Sequence, residues 1–159
     1  MVGTSRKEWK DLYTVDINPD VEPDLVWDLN QIPLPFDDNS ADEIHAYNVL
    51  EHLGTQGGYK FMFAQFEDFW RILKPGGLLC ATVPTWNNIW ALGDPGHTRV
   101  INIGTITFFS QKSYEECDKS MRTDYRNVYK GNFKIEFSKG DETGTFCFVL
   151  KALKGDVNE

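Results

Sequence analysis

From Tyr59 to Pro84 the chain reads YKFMFAQFEDFWRILKPGGLLCATVP. Met62, Phe66, Phe69, Trp70 and Leu73 fall at i, i+4, i+7, i+8 and i+11, the spacing that lines one face of a helix packed on a sheet. Lys74-Pro75-Gly76-Gly77 stops that helix, because Pro removes a backbone donor and Gly accepts the left-handed conformation of a C-cap. Leu78 to Val83 (LLCATV) is an apolar run with the length of a buried strand, and Pro84 ends it. Helix, tight turn and buried strand form one half of a parallel crossover.

Upstream, strand-like segments precede the helix. Leu12 to Ile17 (LYTVDI) is a short run closed by Asn18-Pro19, which predicts a strand ending at Asp16 or Ile17. Leu25-Val26-Trp27 predicts a second brief strand with Asp28 at its end, followed by Ile32-Pro33-Leu34-Pro35, which the prolines hold extended. Asp37-Asp38-Asn39-Ser40 is turn-forming. Ile44 to Tyr47 (IHAY) reads as a buried strand, and Val49 to Leu53 turns helical, with Asn48 at the junction. Alternation between the two periods predicts an α/β fold.

Downstream, residues 85 to 110 are rich in Gly, Asn, Pro and Trp and lack a period. They predict a long excursion over one end of the sheet, of the kind that covers a site. Phe133 to Phe137 and Thr145 to Leu150 flank Lys139-Gly140-Asp141-Glu142-Thr143-Gly144, which predicts an antiparallel hairpin at the sheet edge.

At 159 residues, 41% hydrophobic and 14% aromatic, the chain is expected to form one domain, 1–159, and is too apolar for disorder. Its net charge is −8, and only Arg6-Lys7-Glu8-Trp9-Lys10 concentrates basic residues, so a nucleic-acid partner is not expected. Cys80, Cys117 and Cys147 lack CxxC spacing, which fits reduced thiols, at least two of them in strands, and neither a disulfide framework nor a zinc site. No apolar run reaches the roughly 18 residues of a membrane helix, and the N-terminus lacks a signal layout. The expectation is a cytoplasmic, non-membrane protein.

Four segments in order, VDINP (from Val15), WDLN (from Trp27), LPFDDNSADEIHAYNVLEHL (from Leu34) and FWRILKPGGLLCATVP (to Pro84), resemble the signatures of class I S-adenosylmethionine-dependent methyltransferases of the broad type-11 group. GDPGHTR and the terminal hairpin extend the resemblance weakly. It implies a Rossmann-like, mostly parallel sheet flanked by helices, with S-adenosylmethionine as cofactor and an unidentified acceptor. Open α/β sheets bind ligands beyond the carboxyl ends of their strands, where Asp16, Asp28 and Asn48 fall.

The resemblance implies that the carboxylate of Asp16 accepts from the ribose diol, with Ile17 beside it, that Asp28 accepts from the adenine amino group, and that Leu29 contacts the ring. Asp16 could instead cap the turn before Pro19, and Asp28 its own loop. Tyr47 and Asn48 would pass beside the methionine part of the cofactor, although Asn48 followed by Glu51 is also a near capping box. Only Met1-Val2 precede Gly3, so the first strand and helix are expected to be truncated, with Gly3 and Ser5 as remnants of the glycine-rich loop that meets the carboxypropyl end.

His97 is the candidate general base, in a loop where a backbone-bonded histidine is the plainer reading. Glu51, His52 and His97 could in principle hold a divalent ion that orients an acceptor diol, as in methyltransferases with Glu-x-x-Glu-His at this point. Asn48 replaces their first glutamate, and no metal is assigned. Trp86, Trp90, Phe108 and Phe109 either line an acceptor pocket or roof the core. Two further readings stand beside the enzyme: a degenerate domain that binds cofactor or partner without catalysis, and a homodimer or hetero-assembly covering the sheet surface that a missing helix would expose.

Overall fold

In the computed structural model of the chain, the β-branched Val15 and the aliphatic pair Leu25-Val26 make the first pairing, a parallel ribbon of β1 (Val15–Asp16) and β2 (Leu25–Val26), with Val15 opposite Leu25 and Asp16 opposite Val26. The structure describes residues 12–119 and 123–155 and divides into two units, Met1–Gln31 and Ile32–Glu159. The expected remnant around Gly3 and Ser5, with the truncated first strand and helix, lies outside the described residues.

Between β1 and β2, Asn18 accepts from the amide of Asp20 and opens a single 3-10 turn, Pro19–Val21, which Glu22 closes at φ 51°. Pro19 suits a helix start because its missing donor would be unpaired there in any case. Thr14 donates through its amide and its hydroxyl to Asp24 Oδ2, both at 2.7 Å, and so ties the two strand entrances together.

In the second unit the sheet runs β3-β4-β6-β5. β3 (Ala41–Tyr47) lies parallel to β4 (Leu73–Pro84), and the helix α1 (Tyr59–Ile72) is the crossover between them. β6 (Thr145–Ala152) is antiparallel to both β4 and β5 (Phe133–Gly140). The sheet is thus mixed, with the expected hairpin supplying β5 as its edge. Cys80 and Cys147 lie in β4 and β6, neither in a disulfide, as expected of small hydrophobes in strands.

Lys74-Pro75-Gly76-Gly77 does not separate helix from strand. Leu73 ends α1 at ψ 140° and already pairs with Ala41, and the next pair is Glu43 with Leu78, so the four residues bulge out within β4. Gly76 sits at φ 79°, and a Cβ on Gly77 would stand 2.9 Å from the carbonyl oxygen of Asp42, so both positions need glycine.

Alternation buries Leu79, Ala81 and Val83 of β4 and Phe146, Phe148, Leu150 and Ala152 of β6. α1 buries Phe63, Phe66, Phe69 and Ile72, a stripe rotated slightly from the expected one. Phe109 stacks on Phe66 with ring centroids 3.7 Å apart, and Tyr129 meets both Phe63 and Phe109. The excursion of residues 85 to 110 carries two short helices, α2 (Ile89–Gly93) and α3 (Ile103–Thr107). Phe109 roofs the core, whereas Trp86 and Trp90 are 68% and 63% exposed.

At the hairpin tip, Asp141 Oδ1 accepts from the amides of Thr143 and Thr145 and from the Thr143 hydroxyl. The Thr143 hydroxyl first, then these amides, hold its carboxyl below the ordinary value of 3.8. A depressed native pKa gives a contribution that is complete above the unfolded value and is lost as pH falls through the folded one. Asp141→Ala is therefore expected to lower the melting temperature at pH 7, and the gap from the wild type to shrink as pH drops below about 4. A gap that is the same at pH 7 and pH 3 would show that the carboxylate does not carry the effect.

Candidate functional site

The first unit presents two carboxylates at the carboxyl ends of neighbouring parallel strands. Asp16 is the last residue of β1 and is exposed; its Oδ1 accepts from the Asn18 amide at 2.8 Å. Asp28 lies two residues past β2 and is half-buried; its Oδ1 accepts from the Asn30 amide at 2.9 Å and from Asn30 Nδ2 at 3.1 Å. Each closes an Asx turn, and in each Oδ2 has no hydrogen-bond partner among the described residues. Turn cap and ligand acceptor are thus roles of different oxygens of the same carboxylate. Ile17 is 64% exposed beside Asp16, and Leu29 is half-buried beside Asp28.

The second unit presents the end of β3. Glu43, His45 and Tyr47 alternate onto one face of the strand, where His45 Nε2 meets Glu43 Oε2 at 2.9 Å and His45 Nδ1 meets the Tyr47 hydroxyl at 2.7 Å. Partial burial, then the neighbouring Cys80 and Glu43, pushes the Tyr47 phenol above its ordinary value of 10.0. Asn48 turns the chain off the strand at φ 53°, a left-handed conformation that Asn tolerates better than most residues. Its amide donates to the carbonyl of Thr82, and its Oδ1 accepts from the Thr82 hydroxyl at 3.4 Å. Asn48 does not form the capping box with Glu51: the following 3-10 turn, Leu50–His52, starts at Val49 with no side-chain cap.

Beyond that turn the loop 97–100 is fastened back onto it. The amides of Thr98 and Arg99 both donate to the Glu51 carbonyl, at 2.8 and 3.3 Å, and Gln56 binds the same loop through the Thr98 carbonyl and the Val100 amide. Arg99, only 3% exposed, donates from Nε to the Leu50 carbonyl at 2.7 Å and from a terminal nitrogen to Gln65 Oε1 at 2.6 Å. Burial pushes its pKa down to about 10, with the Glu51 carboxylate opposing. An arginine in an aperiodic loop, here the last residue of GDPGHTR, leaves no sequence signal for this role.

This clamp sets His97 against His52, with ring centroids 4.6 Å apart and the planes at 73°. His52 Nδ1 lies 3.0 Å from the Gly96 carbonyl and His97 Nδ1 2.7 Å from the Trp90 carbonyl, so the backbone-bonded histidine of the plainer reading is what the structure shows. The His97 side chain is nearly buried, and its Nε2 stands 3.9 Å from Asp94 Oδ2. Glu51, itself 2% exposed, completes the group: one ligand-capable atom from each of Glu51, His52 and His97 lies within 4.8 Å of the other two. Burial raises the Glu51 carboxyl above its ordinary range, opposed by its own backbone amide and by the charges of His52, His97 and Arg99.

Comparison with known proteins adds to this geometry. A family model described as a methyltransferase domain matches residues 6–81, just under half the chain. A SAM-dependent methyltransferase from Archaeoglobus fulgidus is similar in structure, with a TM-score of 0.55 and 15% identity, over 86% of this chain and 74% of that one. The cyclase SpnF aligns with a TM-score of 0.50 and 15% identity over 83% of this chain and 56% of its own. A complex of the Haloferax volcanii Trm112 methyltransferase activator with a methyltransferase aligns at 0.49 and 19% identity, over 82% of this chain and 63% of that one. The chain spans less than two thirds of the latter two. No curated protein matches it by sequence.

The fold is similar to that of a SAM-dependent methyltransferase, and residues 6–81 match the methyltransferase-domain model. The cofactor that this family implies is S-adenosylmethionine. The residues present fit it in their chemistry: hydroxyls and an exocyclic amine require acceptors, and Asp16 and Asp28 each keep a carboxylate oxygen open at a strand end. No helix among the described residues is long and apolar enough to cross a membrane.

Proposed function

We propose that the chain is an S-adenosylmethionine-dependent methyltransferase acting on an acceptor that is still to be identified. The observation that carries this reading is the pair of strand-end carboxylates, Asp16 and Asp28, each spending one oxygen on its own turn and keeping the other. Asp16 would take the ribose diol through charge-assisted hydrogen bonds, with Ile17 against the sugar, and Asp28 the adenine amino group, with Leu29 against the ring. Tyr47 and Asn48, both exposed at the end of β3, would meet the methionine part. Gly3 and Ser5 would serve its carboxylate end.

When bound, S-adenosylmethionine supplies an electrophilic methyl group on a sulfonium, and transfer then needs an in-line acceptor held in place. His97 is the candidate base of the metal-free protein. Its Nδ1 faces a carbonyl, which can only accept, so Nδ1 carries the proton and Nε2 is left to take one from an acceptor.

Calorimetric titration with S-adenosylhomocysteine tests the reading. Binding of one equivalent at about micromolar affinity, near −8 kcal/mol, is expected. An absence of heat at protein concentrations well above that range would overturn it. Binding without turnover across an acceptor screen would favour the degenerate, non-catalytic domain.

A further inference from the structure

We propose that Glu51, His52 and His97 form a binding site for one divalent first-row transition-metal ion, with Zn2+ as the type. Three independent features of the group converge on this. The three residues present ligand-capable atoms within 4.8 Å of one another. In tetrahedral coordination two ligands about 2.1 Å from a shared ion stand about 3.4 Å apart, so the widest pair closes by roughly 1.4 Å on binding. The Leu50–His52 turn and the loop carrying His97 are already joined by the Thr98 and Arg99 bonds to the Glu51 carbonyl, so little backbone has to move.

The tautomers agree. His52 Nδ1 is held by the Gly96 carbonyl and His97 Nδ1 by the Trp90 carbonyl. A carbonyl has no proton to give, so each ring, when neutral, is protonated at Nδ1 and presents Nε2 as a lone pair. Metal-binding imidazoles are oriented in this way, with the remote N–H on a carbonyl or carboxylate. Asp94 offers His97 Nε2 no competing hydrogen bond, since its Oδ2 lies 3.9 Å away.

Glu51 supplies the third feature. It is 2% exposed, and its Oε2 is buried with no hydrogen-bond partner among the described residues. A buried carboxylate oxygen without a partner is costly, and a cation beside it removes that cost.

Two imidazoles and one carboxylate select a borderline transition ion over Mg2+ or Ca2+, which favour oxygen-only sets. Three protein ligands leave at least one coordination position for water or an oxygen atom of a substrate. His97 Nε2 is then a ligand and not a base. That the ion serves an oxygen-bearing methyl acceptor rests on the methyltransferase reading; that it binds does not.

The test uses the untagged full chain, stripped with chelator and dialysed, then titrated with Co2+ by visible absorption and with Zn2+ by calorimetry. One ion per chain is expected, with affinity weakened about tenfold or more in each of His52→Ala, His97→Ala and Glu51→Gln. The His52 ring is exposed, so its variant should keep the wild-type melting temperature and can be read even if the buried replacements unfold. No stoichiometric binding by the wild type, or equal binding by a folded His52→Ala, would overturn the site. S-adenosylhomocysteine is titrated into the same sample. Nucleoside binding without metal binding overturns only this proposal; metal binding without nucleoside binding supports it and overturns the cofactor assignment.

Discussion

Asp16→Asn is expected to weaken S-adenosylhomocysteine binding by roughly 100-fold, while leaving the melting temperature unchanged. The substitution is chosen because it separates the two jobs of one side chain. The turn needs only the oxygen that accepts from the Asn18 amide at 2.8 Å, and an Asn side chain keeps that oxygen. The proposed diol contact needs the second oxygen and its charge. In Asn that atom becomes an NH2, which donates toward hydroxyls that themselves need an acceptor, and the charge that shortens and strengthens such bonds is gone. Calorimetry of wild type and variant reads the affinity, and thermal melting reads the fold. Equal affinities would mean that the carboxylate is a turn cap and nothing more.

The second large effect concerns stability. Arg99→Met is expected to destabilise the domain by about 3 kcal/mol, because breaking a buried, hydrogen-bonded charge leaves its partners stranded. The Leu50 carbonyl loses a donor at 2.7 Å, Gln65 Oε1 loses one at 2.6 Å, and Glu51 loses the nearby positive charge that opposes its burial. Met fills much of the volume, so a cavity contributes little and the loss reports the polar contacts. For a chain of this size the melting temperature should fall by about 10 °C. Arg99→Lys should recover only part of it, since an ammonium cannot reproduce the two divergent bonds of a guanidinium. A melting temperature within about 2 °C of the wild type for Arg99→Met would show that the clamp holds no structure.

Much of the architecture was legible because its signals are local. The apolar spacing from Tyr59 specified α1, Pro84 marked the end of β4, and the two apolar runs around Lys139 to Gly144 specified the hairpin. The strand ends at Asp16 and just before Asp28 could be read from single residues, since Asn18-Pro19 and the prolines at 33 and 35 punctuate the chain. Lys74 to Gly77 was misread as a free turn because glycine and proline signal a break in regular backbone without saying whether it lies between elements or inside one. Asn48 followed by Glu51 matched a capping pattern, but the left-handed backbone at Asn48 and its bonds to Thr82 displaced the cap. Trp86 and Trp90 look like core residues by type, yet a loop without periodicity carries no information about which aromatic turns inward. Phe109 did, because Phe66 offered it a flat ring on α1.

By itself, the sequence determined the α/β alternation, the crossover helix with its strand, and the two carboxylates at strand ends, because periodicity and turn chemistry act over a few residues and need no distant partner. Only the tertiary structure decided that His97 lies against His52 beside Glu51, and that Arg99 is buried between Leu50 and Gln65. These groups lie far apart along the chain and meet because backbone amides at Thr98 and Arg99 find the Glu51 carbonyl, a pairing that no side-chain pattern encodes.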